Sequence, residues 1–312
     1  MRIPDEPSFL IRDAVAAGFS RSSLRSTRLE APFYGVRSRV GQLTTIEQVC
    51  MAYAAKMPEG SAFTGPTAAR LWKFPLPAYV GFDIRTLDVA ARSPRRAPTG
   101  SHVRGGQYDP RVTQVVQLHG IPVLSAVDTW CSLAPRLDVA DLTAIADHII
   151  AVAPDRRVAL AELDDLIRAV SARWGRRGTV PLGRALADAR APSWSRPESL
   201  LRLVLASAHV PEPTLNHEVM AGSRRFQIDL AWPEVRFGIE YDGDQHRDAR
   251  QFASDIRRQE LIQDTGWGLM RATRSDLFDR PRELVQRVIQ RLADRGCGVP
   301  AADLRQLVIP RR

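Results

Sequence analysis

Two short runs of alternating apolar residues, joined by a proline turn, constrain this chain more than anything else in it. Phe226, Ile228 and Leu230 alternate with polar residues on the way to Trp232; after Pro233-Glu234, Phe237, Ile239 and Tyr241 do the same. A period of two is the pattern of half-buried strands, so residues 226–246 are expected to form a β-hairpin with these six residues on one face. A slip of one residue would turn an arm inside out, which fixes the parity and puts Asp229 and Glu240 together on the opposite face. With the turn at Pro233-Glu234, Gly238 falls across from Asp229, and Glu240 is its diagonal neighbour at roughly 7–8 Å.

Two carboxylates reaching across that gap can share one hard cation, with Gly238 leaving room for it. Mg2+ (or Mn2+) takes oxygen ligands, accepts only one or two carboxylates from the protein, and fills its shell with water and phosphate oxygen. Strands disfavour Asp and Gly, so a face bearing Asp229, Gly238 and Asp242 is built against its own propensity, as functional sites tend to be. A single acid on a strand face is simply solvated. The ordered run of Asp229, Glu240, Asp242-Gly243 and His246 within eighteen residues is what points to chemistry.

A resemblance rests on these residues. Ile228-Asp229-Leu230-Ala231-Trp232-Pro233, then Ile239-Glu240-Tyr241-Asp242-Gly243-Asp244-Gln245-His246, then Asp255-Ile256-Arg257-Arg258, Gly266-Trp267 and Leu269-Met270-Arg271 occur in order. Over residues 193–295 the chain resembles domain-of-unknown-function family 559, which is similar to the very-short-patch mismatch-repair endonucleases and belongs to the PD-(D/E)XK nuclease fold. The resemblance implies a DNA substrate and Asp229 and Glu240 as metal ligands. It places Glu198, from the helix before the hairpin, as a third ligand, although Ser195 and Glu198 also form a capping box. The fold's usual Lys, two positions after the Glu, is Asp242 here, and the only lysines are Lys56 and Lys73. The related repair enzymes use a His after the second strand, which implies His246 as base or water-orienting group, helped by an unperturbed pKa of about 6.5. Asp242, Gln245, Asp255 and Arg258 are accessory candidates; an i, i+3 ion pair is the plainer account of Asp255 and Arg258.

A length of 312 residues suggests two domains or three small ones. There is no apolar run long enough to span a membrane and no N-terminal signal pattern, so a cytoplasmic protein without membrane contact is expected. Cys50, Cys131 and Cys297 are scattered and form no zinc or disulfide pattern. The net charge of +9 is uneven: residues 193–296 hold sixteen arginines against sixteen acids, whereas residues 1–192 hold 25 Lys and Arg against 18 Asp and Glu. Attraction to phosphate is therefore expected from the N-terminal part.

Residues 8–40 read as helix, turn, helix and strand. Ser8 is placed to cap a helix with Leu10, Ile11, Ala14 and Val15, ending at Gly18; Ser20 caps a second, residues 21–29, and residues 33–37 are a wing. Such an array fits a partial winged helix-turn-helix over 1–42. Arg21, Arg25 and Arg28 on the second helix are DNA-binding candidates, with Arg95 and Arg96 of the basic turn 92–98 beside them. The N-terminal half resembles AbiEi-type antitoxin and regulator proteins, in Ala17-Gly18-Phe19-Ser20-Arg21, Tyr34-Gly35-Val36, residues 64–72 and Gly120-Ile121-Pro122-Val123-Leu124-Ser125. That resemblance implies a mixed α/β region over 43–191 and a cognate toxin as a further partner. Helices are expected at 45–57, 65–72, 125–152 and 160–190, and strands within 84–124.

Ala191-Pro192-Ser193-Trp194 is the expected boundary to a nuclease-like domain over 193–295, followed by a basic tail, 296–312. Beyond His246 a helix from Asp248 to Asp264 should turn Phe252, Ile256 and Ile262 to the sheet; a strand at 268–272 and a helix at 281–292 complete it. The expected class is α/β (α+β), with a mixed sheet flanked by helices. The activity expected is metal-dependent phosphodiester hydrolysis in DNA; the alternative is a non-catalytic DNA-binding antitoxin or regulator on a degenerate nuclease fold.

Overall fold

The computed structural model describes residues 4–154, 156–243, 249–299 and 304–312, and of 249–255 the backbone alone. It divides into two compact units, Met1–Leu137 with Asp164–Val180, and Asp138–Leu163 with Pro181–Arg312.

The first unit opens with β1 (Ser8–Leu10), α1 (Ile11–Ala16), β2 (Leu29–Glu30) and β3 (Val36–Arg39), whose strands form a small antiparallel sheet in the order β1-β3-β2. This corrects the expected helix-turn-helix. Ser8 lies in a strand, no side chain caps α1, and residues 21–29 contain a 3-10 turn at Ser23–Arg25 and the start of β2 in place of a helix. Ser20 Oγ does accept the Ser23 amide, as an N-cap would, and the Ser20 carbonyl accepts from Leu24 N–H and Ser23 Oγ, but the helical turn so started ends at Arg25. Arg21, Arg25 and Arg28 are therefore exposed on a loop, and no groove-reading helix presents them.

The unit continues with α2 (Ile46–Ala54), β4 (Ser61–Phe63), α3 (Gly65–Leu71), β5 (Leu87–Arg92), β6 (Val103–Tyr108), β7 (Val115–Leu118), β8 (Ile121–Leu124) and α4 (Ala126–Leu133). Thr45 and Gln48 form a capping box that starts α2, and Pro66 occupies the first turn of α3. The five strands make one mixed sheet in the order β6-β5-β4-β8-β7, with Phe63, Leu87, Val89, Ile121 and Val123 fully buried against Tyr53 and Leu71. Arg95 and Arg96 are exposed; the Arg95 guanidinium donates to the Glu59 carbonyl.

Three helices follow, α5 (Val139–Ile150), α6 (Leu163–Ser171) and α7 (Thr179–Asp188), of which α5 and most of α7 belong to the second unit. The remainder of that unit is α8 (Arg196–Ser207), β9 (Thr214–Ala221), β10 (Arg224–Trp232), β11 (Phe237–Asp242), α9 (Ala249–Gln263), β12 (Gly268–Thr273), α10 (Arg274–Phe278) and α11 (Pro281–Ala293). Its sheet runs β12-β11-β10-β9; β9, β10 and β11 are antiparallel, and β11 pairs in parallel with β12 through the α9 crossover. Strand β9 and helix α10 are not foreseen from the sequence. Ile262 is buried as expected, but Ile256 is exposed. Helices α5 and α8 are joined by the fully buried Asp147 and Arg202, 3.0 Å apart, and Asp147 also accepts from Ser199 Oγ and from the Arg190 amide. This packing groups residues 139–150 with the segment that the sequence reading begins at 193.

Candidate active site

The hairpin turn is wider than expected. Pro233–Val235 form a 3-10 turn and Arg236 takes a left-handed φ of 46°, so four residues, not two, lie between Trp232 and Phe237. The observed register is Trp232↔Phe237, Ala231↔Gly238, Leu230↔Ile239. Gly238 thus faces Ala231, and extending the register brings Asp229 level with Glu240. Nor does Gly238 leave room for a cation: a Cβ built on it would lie 2.4 Å from Ile228 Cγ2, so the space belongs to the isoleucine.

That contact reflects a second correction. Strict alternation would put Phe226, Ile228, Leu230 and Trp232 on one face. Instead Phe226 and Ile228 pack with Val219, Ala231, Ile262 and Trp267, while Leu230 and Trp232 pack with Leu203, Phe237 and Ile239. The strand changes face at Asp229. Across from it on β9, Asn216 has a left-handed φ of 48°, a backbone twist that asparagine tolerates better than most residues, and the ladder skips this pair.

The pinch singles out Asp229. The β10–β11 ladder ends at Leu230↔Ile239, and beyond it Asp229 Oδ2 accepts the Tyr241 amide at 2.8 Å. Asp229 Oδ1 has no hydrogen-bond partner among the described residues. Burial first, then the charges of Glu198 and Glu240, push its pKa up to about 7, against the opposing pull of the Tyr241 amide and Arg258.

Glu240, on β11, is largely buried and is met by Arg258 of α9 at 2.8 Å, whose guanidinium also donates to the Gln227 carbonyl. Arg258 thus reaches the sheet; the Asp255 side chain, and with it the i, i+3 pair, lies outside the described residues. Glu198 is buried at the start of α8 and uses both oxygens there, one accepting from Ser195 Oγ at 2.7 Å and the other from the Trp194 amide at 3.0 Å. Asn216 Nδ2 approaches the second oxygen at 3.5 Å. Asp242, in the position of the fold's lysine, lies 3.7 Å from Arg271 of β12. Gln245 and His246 fall outside the described residues.

The structure thus gathers Glu198, Asp229, Glu240 and Arg258 from four elements of one unit. Arg21, Arg25, Arg28, Arg95 and Arg96 belong to the other. Among the described residues no three carboxylate, imidazole or thiol groups are close enough to hold one ion. What remains suits a hard divalent cation in kind: carboxylate oxygens, shielded from water, whose mutual repulsion already raises the proton affinity of one of them. Two protein carboxylates are as many as Mg2+ takes. Arg258 and Asn216 are the members of this neighbourhood whose contacts the sequence reading does not foresee. Asn216 falls with Thr214 and Glu218 where alternation expects a polar residue, so nothing in the local sequence marks its burial.

Comparison with known proteins bears on the same segment. A restriction-endonuclease-like family, REase_MTES_1575, matches residues 212–292, which takes in β9 to α11. Uncharacterized proteins from the H37Rv and CDC 1551 strains of Mycobacterium tuberculosis are each 28% identical over 228 residues, 72% of this chain and 79% of theirs. No solved structure matches the chain. The C-terminal domain is accordingly nuclease-like, and the mixed α/β class stands. No helix among the described residues is long and apolar enough to cross a membrane.

Proposed function

We propose that the second unit is a metal-dependent DNA endonuclease that hydrolyses phosphodiester bonds. The observation that carries this reading is Asp229. It is a carboxylate set where β10 parts from β11, raised towards neutrality by burial and by two further acids, inside the segment similar to a nuclease-like family. Restriction-endonuclease-like folds generally use divalent metals, and Mg2+ or Mn2+ matches this donor set. Asp229, through Oδ1, and Glu240 would hold the ion, which when bound polarises the scissile phosphate and lowers the pKa of a water. Glu198 adds negative charge to the neighbourhood while it caps α8. Arg258 sets a fixed positive charge beside Glu240, in a site where Asp242 stands in place of lysine. His246 remains the candidate from sequence for aligning or deprotonating the attacking water.

The test is incubation of supercoiled and mismatched DNA with Mg2+ or Mn2+. The expected result is cutting that a chelator abolishes and that falls by roughly 100-fold or more in Asp229→Ala and His246→Ala. Uncut DNA under every metal condition sinks the reading. One observation favours a second reading: a guanidinium already occupies Glu240. On that reading the unit binds DNA without cutting it, as part of an antitoxin or transcription regulator with a toxin as partner. Sequence-specific retardation of uncut DNA would select it.

A further inference from the structure

In the first unit, a cleft of about 960 Å³ opens between β1, α1, the turn before β3 and the end of α2. Arg12, Arg21, Arg37, Lys56 and His102 line it, and no carboxylate is among its lining residues. Asp13 neutralises part of Arg12 from outside, at 3.2 Å, with both groups on the surface. Arg37 is anchored by donating to the Leu24 and Val36 carbonyls, and Arg21 makes no hydrogen bond or ion pair among the described residues.

Amid these cations stands Tyr34, 94% exposed. It is not on a loose loop. Phe33 before it is buried edge-on against Tyr53, ring centres 5.0 Å apart, and Val36 after it is buried too. The turn closes through Val36 N–H to the Phe33 carbonyl, Gly35 adopts φ 77°, and its carbonyl accepts the Ile11 amide. Lys56 Nζ donates to the Tyr34 carbonyl at 2.9 Å and lies 5.8 Å from the ring centre. A rigid turn therefore holds an aromatic face in water, beside positive charge, where burying it would have been the ordinary outcome.

We propose that this cleft binds a single-stranded nucleic acid segment, with backbone phosphates on Arg12, Arg21, Arg37 and Lys56 and one base stacked on Tyr34. A positive groove supplies sequence-independent attraction to phosphate, and an exposed ring accepts the face of any base. A duplex keeps its base faces stacked on one another and has none to offer. The cleft is separate from the carboxylate cluster and does not depend on the nuclease reading.

The test is fluorescence anisotropy of the full chain with a labelled oligothymidylate of about twenty nucleotides, run with chelator so that no cutting enters. Tyr34→Ala should weaken binding roughly ten- to hundredfold, with Tyr34→Phe within about twofold of wild type. Arg21→Ala should lower the slope of log affinity against log salt by about 0.7. Tyr34 is solvent-exposed, so its loss leaves folding unchanged, which near-ultraviolet circular dichroism checks. Equal binding by Tyr34→Ala, equal affinity for a duplex of the same length, or displacement of the strand by micromolar adenosine triphosphate would each overturn the proposal. Strand binding by a protein that never cuts DNA would remove only the nuclease reading, and cutting without strand binding would remove only the cleft.

Discussion

Asp229 keeps its proton to higher pH than a free carboxyl because ionising it costs the desolvation of a shielded site and adds a third negative charge beside Glu198 and Glu240. Its pKa is raised from 3.8 to about 7 on folding. The folded state then binds the proton more tightly than the unfolded one, so this side chain's contribution to stability is greatest below pH about 4 and is lost as pH rises to about 7. Asp229→Asn should accordingly stabilise the protein at pH 8, on the order of 1–3 kcal/mol after allowance for partial solvent access, and be near neutral at pH 4. Urea unfolding at the two pH values measures this; equal effects at both would show that the site is not electrostatically strained. A bound divalent cation should reverse the penalty, so Mn2+ at pH 8 should raise the Tm of the wild type and leave that of Asp229→Asn unmoved.

At the scale of the element, β10 is one strand in hydrogen bonding and two in packing. Gly238 sits where the first of these packing segments presses on its neighbour, so Gly238→Ala should cost about 1–3 kcal/mol through overpacking against Ile228. Ile228→Leu, which removes the offending γ2 methyl, should recover part of that loss; strict additivity in denaturant melts would refute the contact. The period-two pattern made the hairpin, its Asp and its Glu legible, because alternation and turn residues are local properties. It could not reveal the face switch, because the switch depends on the left-handed Asn216 of a strand that was itself overlooked. The register was misjudged by two residues because Val235 and Arg236 belong to the turn, Arg236 in a conformation that its side chain does not advertise. Near the N-terminus the expected cap is there, Ser20 Oγ accepting the Ser23 amide, but the turn it starts stops at Arg25. Anyone redesigning this sheet should break the alternation at Asp229, with Phe226, Ile228 and Ala231 on one face and Leu230 and Trp232 on the other.

At the scale of the whole molecule, the second unit recruits α5 from upstream in the sequence. A fragment beginning at residue 193 would keep Arg202 but lose Asp147, its fully buried counter-ion, and would strip the apolar cover that α5 lays on α8. Uncompensated burial of a charge costs about 3–5 kcal/mol, most of the stability of an ordinary domain. The fragment 193–312 should therefore show no cooperative thermal transition, whereas 138–312 should show one; a sharp melt from the shorter piece would count against this account. Tracing the backbone, the chain leaves the first unit after Leu137, returns at Asp164 and departs again after Val180. Genetic exchange between relatives can thus trade neither half as a self-contained cassette at a single crossover near residue 192: the joint would leave helix α5 behind with the donor's front portion, and each parent's version of that helix would have to match the other's arginine.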